Sequence, residues 1–533
     1  MKIGLEVHQQ LATGKLFCAC PSELSEVPRA RFQRRLRAAG GETLAVDAAV
    51  AFQAARGLRS TYETTDSDCL VEADEEPPHG LNPEALRTAL VVADLFGARP
   101  VDEIVVMRKL VVDGSNTSGF QRTALVATDG ALTVGARAYS VPTICLEEDA
   151  ARKVGESAGE PTYRLDRLGI PLIEVATGPE ITGGAEARAV AGEIGALLRA
   201  TRRVRRGIGT VREDLNVSVP GGSRVEIKGI QELRLIERYA VGEQARQQHL
   251  LALRAELLVR DPPPIPERTE DVTGLVGNVP SGPLHGLGRR RSVARALRLP
   301  GFAGLLRSDR PDGERLGREL ADQARRQGLK GLLHSDELPG AGIDEELVGR
   351  IRSAVGASDR DGFVIVAAPS VESAERALAR VRDRARATRE GVPPETRDPL
   401  PDGRSRYSRP LPGRDRMYPE TDVPSRRVTE EELARARADR PELPEEARSR
   451  LVRTYELGPE VLAQLQGEDL LDRFERLAGS GHPPALVARL LLQELPAAEV
   501  DRTAAGIDPS DPELERLLDG VRAGRIAKEG IGP

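Results

Sequence analysis

The chain has 533 residues, with 77 lysines and arginines against 83 aspartates and glutamates, which gives a formal net charge of -6. This length allows several domains, and a composition of 39% hydrophobic and 30% charged residues is typical of globular proteins rather than disordered ones. Four cysteines exclude a disulfide scaffold, and no apolar run is long enough to predict a membrane span. The opening MKIGLEVHQQ has neither a signal-peptide nor a transit-peptide pattern, so we expect a cytoplasmic protein.

The positive charge is almost entirely arginine, because only seven lysines occur in the chain. GC-rich coding is the favoured explanation of this bias, and phosphate binding is the alternative. Since the net charge is acidic, nucleic-acid contact is expected only at local patches. The arginine clusters at 199–206 and 397–427 are the candidates.

Residues 1–267 predict a mixture of helices and strands. Apolar residues at helical spacing predict helices over Leu81–Phe96, with Asn82 as the N-cap, over Ala185–Ala200 and over Ile230–Leu258. Short β-rich runs predict strands over Ile104–Met107, Leu110–Val112, Ile170–Val175, Val211–Val219 and Val225–Ile227. The proline-rich segment that begins at Asp261 is the best candidate for a domain boundary.

Residues 268–390 predict a separate α+β unit, with helices over Glu314–Gln327 and Ser370–Arg389 and a strand over Phe363–Ala367. The stretch Gly391–Pro424 is rich in proline, glycine and arginine and leaves little room for regular structure. We interpret it as a linker or a functional loop. From about residue 428 onward the pattern is helical and charged, without a chemical motif.

Strands predicted at the start and in the middle of residues 1–267 carry or adjoin acids that could bind a metal. Strand side chains alternate, so Glu6 and His8 share a face, and a carboxylate with an imidazole can hold a metal or relay a proton. Glu174 interrupts an apolar strand, and the acids of Leu146–Asp149 adjoin another strand. Such carboxylates suit Mg²⁺, although each pattern also fits a strand with a solvated face.

A second pair of strands predicts a polar floor. Alternation places polar side chains on one face of each strand: Arg212, Asp214, Asn216 and Ser218 on the first, and Arg224, Glu226 and Lys228 on the second. A nucleotide-binding sheet has this pattern, and so does a sheet that is wetted on one side.

Two further segments are less specific. The turn from Asp113 to Gln121 could cradle an oxyanion with backbone N–H groups, but it matches no Walker pattern and also fits a hairpin loop. Cys18 and Cys20 are followed by no CxxC or HxxxH partner, and Cys69 and Cys145 stand alone. Structural or tolerated thiols are the simpler interpretation.

The order of these motifs resembles the B/E subunit family of tRNA-dependent amidotransferases. The shared motifs are Leu5–His8, Leu16–Glu23, Leu146–Asp149, Gly169–Glu174, Arg212–Ser218 and Val225–Lys228. The archaeal E branch is favoured by the extra unit at 268–390 and by Glu72–His79, Asp113–Thr123, Leu333–Gly340, Arg409–Gly413 and Met417–Asp422. The resemblance covers nearly the whole chain.

The resemblance implies an α+β multidomain fold. Its parts are a mixed-sheet cradle domain (1–267) with kinase and amidotransferase activity, an inserted aspartyl-tRNA-synthetase-like α+β domain (268–390), a closing segment of the cradle (391–427), a helical domain (428–480) and the start of a tRNA-binding tail (481–533). The tail is shorter than family members usually have, so we expect weaker tRNA binding or discrimination.

The activity implied by the resemblance is that of an ATP-dependent glutamyl-tRNA(Gln) amidotransferase, a carbon–nitrogen ligase with glutamine as amido donor. ATP phosphorylates the γ-carboxylate of glutamate on tRNA(Gln), and ammonia from an asparaginase-like partner, the D subunit, displaces the phosphate. This chemistry demands Mg²⁺ and protection of the acyl phosphate from water. The implied partners are this D subunit, in a heterodimer or a dimer of heterodimers, and the charged tRNA; no membrane is involved.

The resemblance also implies roles for individual residues. The metal ligands are Glu6, His8, Glu147 and Glu174. Asp214, Glu226 and Lys228 are expected to be catalytic. The residues expected to bind ATP or substrate are Ser115, Asn116, Thr117, Ser118, Arg167, Asn216 and Ser218.

One departure and two alternatives accompany the resemblance. The B branch often has a second cysteine pair, which Arg29–Gly41 lacks here, and this argues against a structural zinc at Cys18 and Cys20. A non-catalytic tRNA-binding scaffold would have lost the acidic residues, all of which are present. A B-type subunit acting with A and C subunits would lack the inserted unit.

Overall fold

The computed structural model describes residues 1–40, 45–55, 57–157, 159–285, 287, 292–307, 315–468, 470–497 and 509–527. The chain divides into two compact units, Met1–Arg440 and Pro441–Pro533. The helix Glu430–Ala438, which the sequence analysis assigned to a helical domain beginning at 428, lies in the first unit. The remaining predicted domain boundaries stay a prediction.

The strands, in chain order, are β1 (Lys2–Gln10), β2 (Ala30–Arg34), β3 (Ser60–Thr64), β4 (Arg99–Pro100), β5 (Glu103–Ile104), β6 (Val106–Leu110), β7 (Phe120–Val134), β8 (Arg137–Glu148), β9 (Arg152–Ser157), β10 (Glu160–Arg164), β11 (Pro171–Ala176), β12 (Val211–Ser218), β13 (Val225–Ile230), β14 (Glu270–Asp271), β15 (Val293–Leu299), β16 (Leu333–His334), β17 (Gly362–Ala368), β18 (Glu395–Pro399), β19 (Ser405–Pro410), β20 (Met417–Pro419) and β21 (Arg426–Arg427).

The α-helices are α1 (Ala48–Ala54), α2 (Pro83–Leu95), α3 (Gly184–Ala200), α4 (Ile236–Arg260), α5 (Thr273–Val276), α6 (Leu316–Arg326), α7 (Glu345–Ala354), α8 (Val371–Glu390), α9 (Glu430–Ala438), α10 (Pro444–Tyr455), α11 (Pro459–Gly467), α12 (Leu471–Gly479), α13 (Pro484–Arg489), α14 (Leu495–Ala497) and α15 (Asp511–Arg522). Short 3-10 turns cover Leu233–Leu235, Ser335–Glu337 and Arg414–Arg416, and a π-helical turn covers Leu490–Glu494. Among the described residues, no helix is long and apolar enough to cross a membrane.

The largest sheet in the described part of the chain has eleven strands. Their order is β19, β18, β13, β12, β1, β11, β8, β7, β6 and β20, and β4 also pairs with β7. Strands β13 and β18 run parallel, whereas β1 is antiparallel to both of its neighbours. A parallel pair needs a long crossover connection, which residues 231–394 supply. The mixed sheet with its helices confirms the predicted α+β class; the aspartyl-tRNA-synthetase-like character of the insertion stays a prediction.

Strand β1 lies in the middle of this sheet, paired with β11 and β12, and its two faces have different chemistry. Ile3, Leu5 and Val7 are fully buried, and helix α3 packs against the strand. Glu6 and His8 alternate with them and project from the opposite face. The apolar face anchors the strand, and the polar face is left for the site described below.

Besides a four-stranded sheet of order β2, β3, β10, β9, residues 268–390 contain a second four-stranded sheet of order β14, β15, β17, β16. Helices α6 and α8 pack together, and α8 also packs on β15 and β17. Leu250 and Leu253 of α4 share one core with Leu320 of α6 and Leu378 of α8. Asp261, at the predicted boundary, ends α4 in a left-handed conformation (φ 40°), but the apolar core is continuous across it.

Most predicted elements are confirmed within a few residues. Asn82 caps α2 by accepting hydrogen bonds from the amides of Glu84 at 2.9 Å and Ala85 at 3.1 Å. The strand predicted over Leu110–Val112 is wrong beyond Leu110, because β6 ends there and Val111 donates its N–H to Gly119 across a loop.

The interpretation of 391–424 as a segment without regular structure is wrong. Strands β18, β19 and β20 lie within it and extend both edges of the large sheet. Glu395 and Arg397 of β18 are buried through ion pairs rather than through apolar packing. A search for apolar alternation therefore does not detect this strand.

The second unit is helical. Leu451, Leu465, Phe474 and Leu477 are buried in its own apolar core, together with Leu518 of α15. Tyr455 packs edge-on against Phe474, with ring centroids 5.3 Å apart. The helical pattern predicted from about residue 428 onward agrees with the helices of this unit.

Candidate active site

The register of β1 with its two neighbours assembles a polar centre on the sheet. His8 lies opposite Glu174 of β11 on one side and opposite Arg212 of β12 on the other. Glu6, two residues earlier on the same face, lies opposite Asp214 of β12. Residues far apart in the chain are therefore neighbours because three strands pair in this register.

The first half of this centre consists of His8, Glu147 and Glu174, with His8 between the two carboxylates. Its Nε2 atom lies 3.0 Å from Oε2 of Glu174 and 3.9 Å from Oε2 of Glu147, which β8 contributes from the next strand but one. The Nδ1 atom of His8 is buried without a described hydrogen-bond partner. Buried polar atoms of this kind are normally satisfied by an ordered water or by an ion.

The second half of the centre is built by β12 and β13. A β-bulge between Glu213 and Leu215 redirects Asp214, which accepts hydrogen bonds from the Nζ of Lys228 at 2.6 Å and from the amide of Gly229 at 2.7 Å. Gly229 has φ 81°, a left-handed conformation that glycine adopts without strain.

Two more acids complete the second half. Asn216 donates from Nδ2 to Oε1 of Glu6 at 3.0 Å. Thr396 of β18 donates to Oε2 of Glu226 at 2.8 Å, and Oε1 of Glu226 lies 4.0 Å from the Nζ of Lys228. The predicted polar floor is therefore present in the structure, with its carboxylates fixed by hydrogen bonds.

The clustered acids perturb one another strongly. Burial and the charges of Glu174 and Asp214 raise the pKa of Glu6 to about 7. Although burial opposes ionisation, the hydrogen bond from His8 and the charge of Lys109 lower the pKa of Glu174 to about 2. Near neutral pH the centre therefore holds the ionised carboxylate of Glu174 beside that of Glu6, which is partly protonated.

The neighbouring carboxylates raise the pKa of both basic residues of the centre. Burial disfavours the imidazolium form of His8, but the hydrogen bond and charge of Glu174 raise its pKa overall. For Lys228 the charges of Asp214 and Glu226 outweigh burial and raise the pKa of its ammonium group. Lys228 therefore stays charged and is held in place by carboxylates.

Two groups of side chains in this centre could each hold a cation. Glu6, His8 and Asp214 form one, and His8, Glu147 and Glu174 form the other, with ligand atoms no more than 4.8 Å apart within each group. Carboxylate oxygens suit Mg²⁺ or Mn²⁺, and the imidazole is a ligand that Mn²⁺ accepts readily. The carboxylates of Glu147 and Glu174 beside the Nε2 atom of His8 are a donor set that fits such an ion.

Three side chains at the centre were not among the predicted site residues. Lys109 of β6 donates to Oε1 of Glu147 at 2.5 Å, and Gln121 of β7 donates to Oε2 of the same carboxylate at 3.2 Å. Arg416 is also close: burial and neighbouring Arg409 lower the pKa of its guanidinium, against the charges of Glu226 and Glu147. The rarity of lysine in this chain was the one signal that could have marked Lys109.

Some predicted substrate residues have other contacts. The hydroxyl of Ser115 donates to Asp113 at 2.7 Å, that of Thr117 to the carbonyl of Glu72 at 2.6 Å and that of Ser118 to the carbonyl of Phe120 at 3.0 Å. The described hydrogen bonds thus fold this loop onto itself and onto neighbouring turns rather than onto the acidic centre.

None of the described hydrogen bonds joins Asn116, Arg167 or Ser218 to the acids of this centre. Asn116 is buried beside Ser115, with its Nδ2 unpartnered among the described contacts. Arg167 donates to the carbonyls of Ala150 at 2.8 Å and Ala151 at 3.0 Å. Ser218 pairs with Lys2 at the far end of β12, about 13 Å along the strand from Asp214.

Several arginines of the two predicted clusters are bound to other protein groups, so they are less available to nucleic acid than the sequence indicated. Arg397 is buried and donates to Glu395 at 2.5 Å, so it is no free phosphate ligand. Arg203 donates to Asp439 at 2.8 Å, and Arg205 donates to the carbonyl of Ser22. Part of the arginine excess therefore holds the fold together.

The sheet, its acidic centre and the sequence together define the class of protein to which this chain belongs. The family model for the GatB/GatE catalytic domain matches residues 1–434. The chain belongs to this family of catalytic domains and is an enzyme component.

Individual relatives narrow the comparison further. Proteins named as the E subunit of glutamyl-tRNA(Gln) amidotransferase from Thermococcus gammatolerans and Pyrococcus abyssi are each 44% identical over 534 and 537 residues, which cover 100% of this chain and 84% of theirs. The protein of the same name from Archaeoglobus fulgidus is 44% identical over 534 residues, 99% of this chain and 85% of its own. The chain is thus similar to these E-type subunits along its length.

Proposed function

We propose that this chain is the subunit of a tRNA-dependent amidotransferase that activates the glutamate of Glu-tRNA(Gln) with ATP and forms Gln-tRNA(Gln). The observation that carries the proposal is the convergence of His8 with Glu6, Glu147, Glu174 and Asp214 on one sheet face. The names of its relatives supply the substrate.

The proposed first reaction transfers the γ-phosphoryl group of ATP to the γ-carboxylate of the glutamate, giving an acyl phosphate and ADP. In the second, ammonia attacks the acyl carbon, phosphate leaves, and the amide remains. Phosphoryl transfer depends on positioning and on neutralisation of charge more than on covalent help from the protein. Phosphoryl transfer therefore needs cationic side chains held in place and carboxylates that bind a metal ion.

Glu147, Glu174 and His8 would hold a divalent cation such as Mg²⁺ or Mn²⁺. When bound, this ion supplies charge neutralisation for the phosphate oxygens. Glu6 and Asp214, with the same histidine, offer a second set of ligands. This assignment keeps the four ligands predicted from the sequence and adds Asp214.

Lys228 is proposed to contact the reacting phosphate or carboxylate. Its side chain is 40% exposed, and Asp214 holds its ammonium group at 2.6 Å. Glu226, fixed by Thr396, would keep that ammonium group on the open side of the floor. Lys109, whose Nζ lies 2.5 Å from Glu147, adds a second cation at the opposite side of His8.

A glutamine-hydrolysing partner of the D type is the proposed source of ammonia, and the complex with it is proposed to act in the cytoplasm. A scaffold without catalysis would not need such a set of carboxylates around a buried histidine. A B-type subunit is disfavoured by the names of the relatives.

The test is reconstitution of the full chain with a D-type partner, ATP, Mg²⁺, glutamine and Glu-tRNA(Gln), followed by analysis of the amino acid on the tRNA. We expect Gln-tRNA(Gln) from the unaltered chain and none from Glu174→Ala. Glu156→Ala is the matched control, because this exposed glutamate on β9 pairs with the equally exposed Lys153, at 2.5 Å. Full activity of Glu174→Ala would refute the assignment of the centre.

A further inference from the structure

A groove lined by arginines lies apart from the acidic centre, within the first unit. Its volume is about 1490 Å³, and its lining comes mainly from helices α1, α6 and α8 and from strand β19. Eight arginines and four acidic residues line it. The lining therefore carries a positive charge, although the whole chain has a formal net charge of -6.

Some of these arginines are bound within the protein. Arg326 donates to the carbonyl of Tyr407 at 2.8 Å and to Asp398 at 2.5 Å. Arg325 donates to Asp322, one of the acids of the lining, at 2.7 Å. These arginines hold α6 against β19 and shape the wall of the groove, so they are not counted as ligand contacts below.

Three other arginines of the groove make no ion pair with the described residues. They are Arg318 of α6 and Arg376 and Arg380 of α8. Arg376 is exposed, and the other two are half-buried. Arg376 and Arg380 are one helical turn apart, where like charges repel each other. An anionic ligand in the groove would remove this repulsion.

Aromatic and small side chains lie beside these cations. Phe52 of α1 and Tyr407 of β19 pack edge to face, with ring centroids 6.0 Å apart. The guanidinium of Arg380 lies 5.3 Å from the centroid of the Phe52 ring. Ala321 of α6 and Ala379 of α8 also line the groove and leave it open. Cations along a groove that also has aromatic surface are typical of sites that bind a polynucleotide strand.

The groove lies at the edge of the sheet that carries the acidic centre. Strand β19 is the fourth strand from β1 in the order β19, β18, β13, β12, β1. At about 4.8 Å per strand this separation is about 19 Å. A polynucleotide whose acylated end lies at the acidic centre is long enough to reach the groove.

We propose that Arg318, Arg376 and Arg380 bind the phosphate backbone of the charged tRNA, so that this groove is an RNA contact surface separate from the candidate active site. Arginine forks match the oxygens of phosphate groups, and their charge favours a polyanion. The choice of RNA as the ligand rests on the proposed function. The sequence analysis expected such contacts at 199–206 and 397–427, and these three arginines lie outside both segments.

The experiment measures binding of tRNA(Gln) to the full-length chain by fluorescence anisotropy over a range of KCl concentrations. The variant replaces all three residues, Arg318→Gln, Arg376→Gln and Arg380→Gln. Each phosphate contact contributes about 0.7–0.9 to the slope of log Kd against log salt concentration. We expect the Kd to rise at least about tenfold and the slope to fall by about 2.

A matched variant controls for the loss of net charge. Arg188→Gln, Arg254→Gln and Arg350→Gln together remove three exposed arginines of α3, α4 and α7, none of which lines the groove. We expect little change in the Kd or in the slope. If the groove variant does not fold, the single change Arg376→Gln at an exposed position should still lower the slope by about 0.7–0.9.

Unchanged binding of tRNA by the groove variant, or an equal effect of the control variant, would overturn the proposal. Loss of binding to the D-type partner with unchanged tRNA binding would also overturn it, because the groove would then be a protein interface. The proposed function can fail separately. A chain that binds tRNA through the three arginines but forms no Gln-tRNA(Gln) would reject the proposed function and support this inference.

Discussion

Replacing Glu395 with alanine should destabilise the first unit severely, because this carboxylate is the shared partner of three buried arginines. Its Oε1 lies 2.5 Å from Arg397 and 3.4 Å from Arg246, and its Oε2 lies 2.7 Å from Arg384. Only 1% of Glu395 is exposed. The truncation leaves three buried guanidinium groups short of a counter-charge, which costs about 3–5 kcal/mol.

The pKa of Glu395 gives an independent magnitude. Burial alone would raise it, but Arg384, Arg246 and Arg397 together lower the pKa from 4.5 to about 2. This difference corresponds to about 3 kcal/mol of stability at neutral pH. Because the folded-state pKa is the lower one, the contribution is complete above about pH 5 and is lost as the pH falls toward 2.

The assay is urea unfolding at pH 7, followed by far-ultraviolet circular dichroism, with Glu267→Ala as the control. Glu267 also has two arginine partners on α8, Arg382 at 2.8 Å and Arg386 at 2.7 Å, but its side chain is 72% exposed. We expect a large drop in the urea midpoint for Glu395→Ala and little change for Glu267→Ala, since water replaces exposed pairs. Equal midpoints for the two variants would refute the reasoning.

Three further predictions address other parts of the chain. Asn82→Ala removes the cap of α2 and should cost about 1 kcal/mol in the same urea assay; an unchanged midpoint would contradict the role of the cap. Phe474→Ala opens the core of the second unit, and hydrogen exchange there should show a loss of about 3–5 kcal/mol, whereas unaltered protection would show that the core tolerates the cavity. Lys109→Met should lower tRNA-dependent ATP turnover about 100-fold while the melting temperature stays within a few degrees; full turnover would remove Lys109 from the candidate centre.

The residues of the candidate centre could be predicted where strand alternation alone decides the outcome. Glu6 and His8 share a face because they are two positions apart, and the same rule groups Asp214 with Asn216. Which strands become neighbours is a different question, because pairing depends on the whole sheet. The approach of Glu147 to His8 follows from the β8–β11–β1 order, which local spacing does not contain.

The errors have a common physical cause. Strand β18 was missed because Glu395 and Arg397 are buried as ion pairs, and a polar sequence normally indicates an exposed segment. Cys69 appeared isolated because two turns far apart in the chain bring it to Cys18. The substrate role of the Ser115–Ser118 loop, implied by the resemblance, stays a prediction, because its described hydroxyl hydrogen bonds go to its own turn and to neighbouring turns.

The arginine excess has two explanations that the structure separates. Arg246, Arg384 and Arg397 are buried and bind glutamates, so they stabilise the contact of helices α4, α6 and α8 with strand β18 of the large sheet. Coding bias remains compatible with the exposed ones. An overall charge of -6 therefore conceals a set of arginines that the fold itself requires.

The most direct test of the central claim is the release of ADP from ATP by the full-length chain with a D-type partner, measured with and without Glu-tRNA(Gln). We predict release that requires the charged tRNA and a divalent cation, and that falls at least about 100-fold in Glu174→Gln but not in Glu156→Gln. Binding of tRNA, measured separately, should be equal in both variants. Release that persists in Glu174→Gln, or that does not depend on a divalent cation, would contradict the proposed centre.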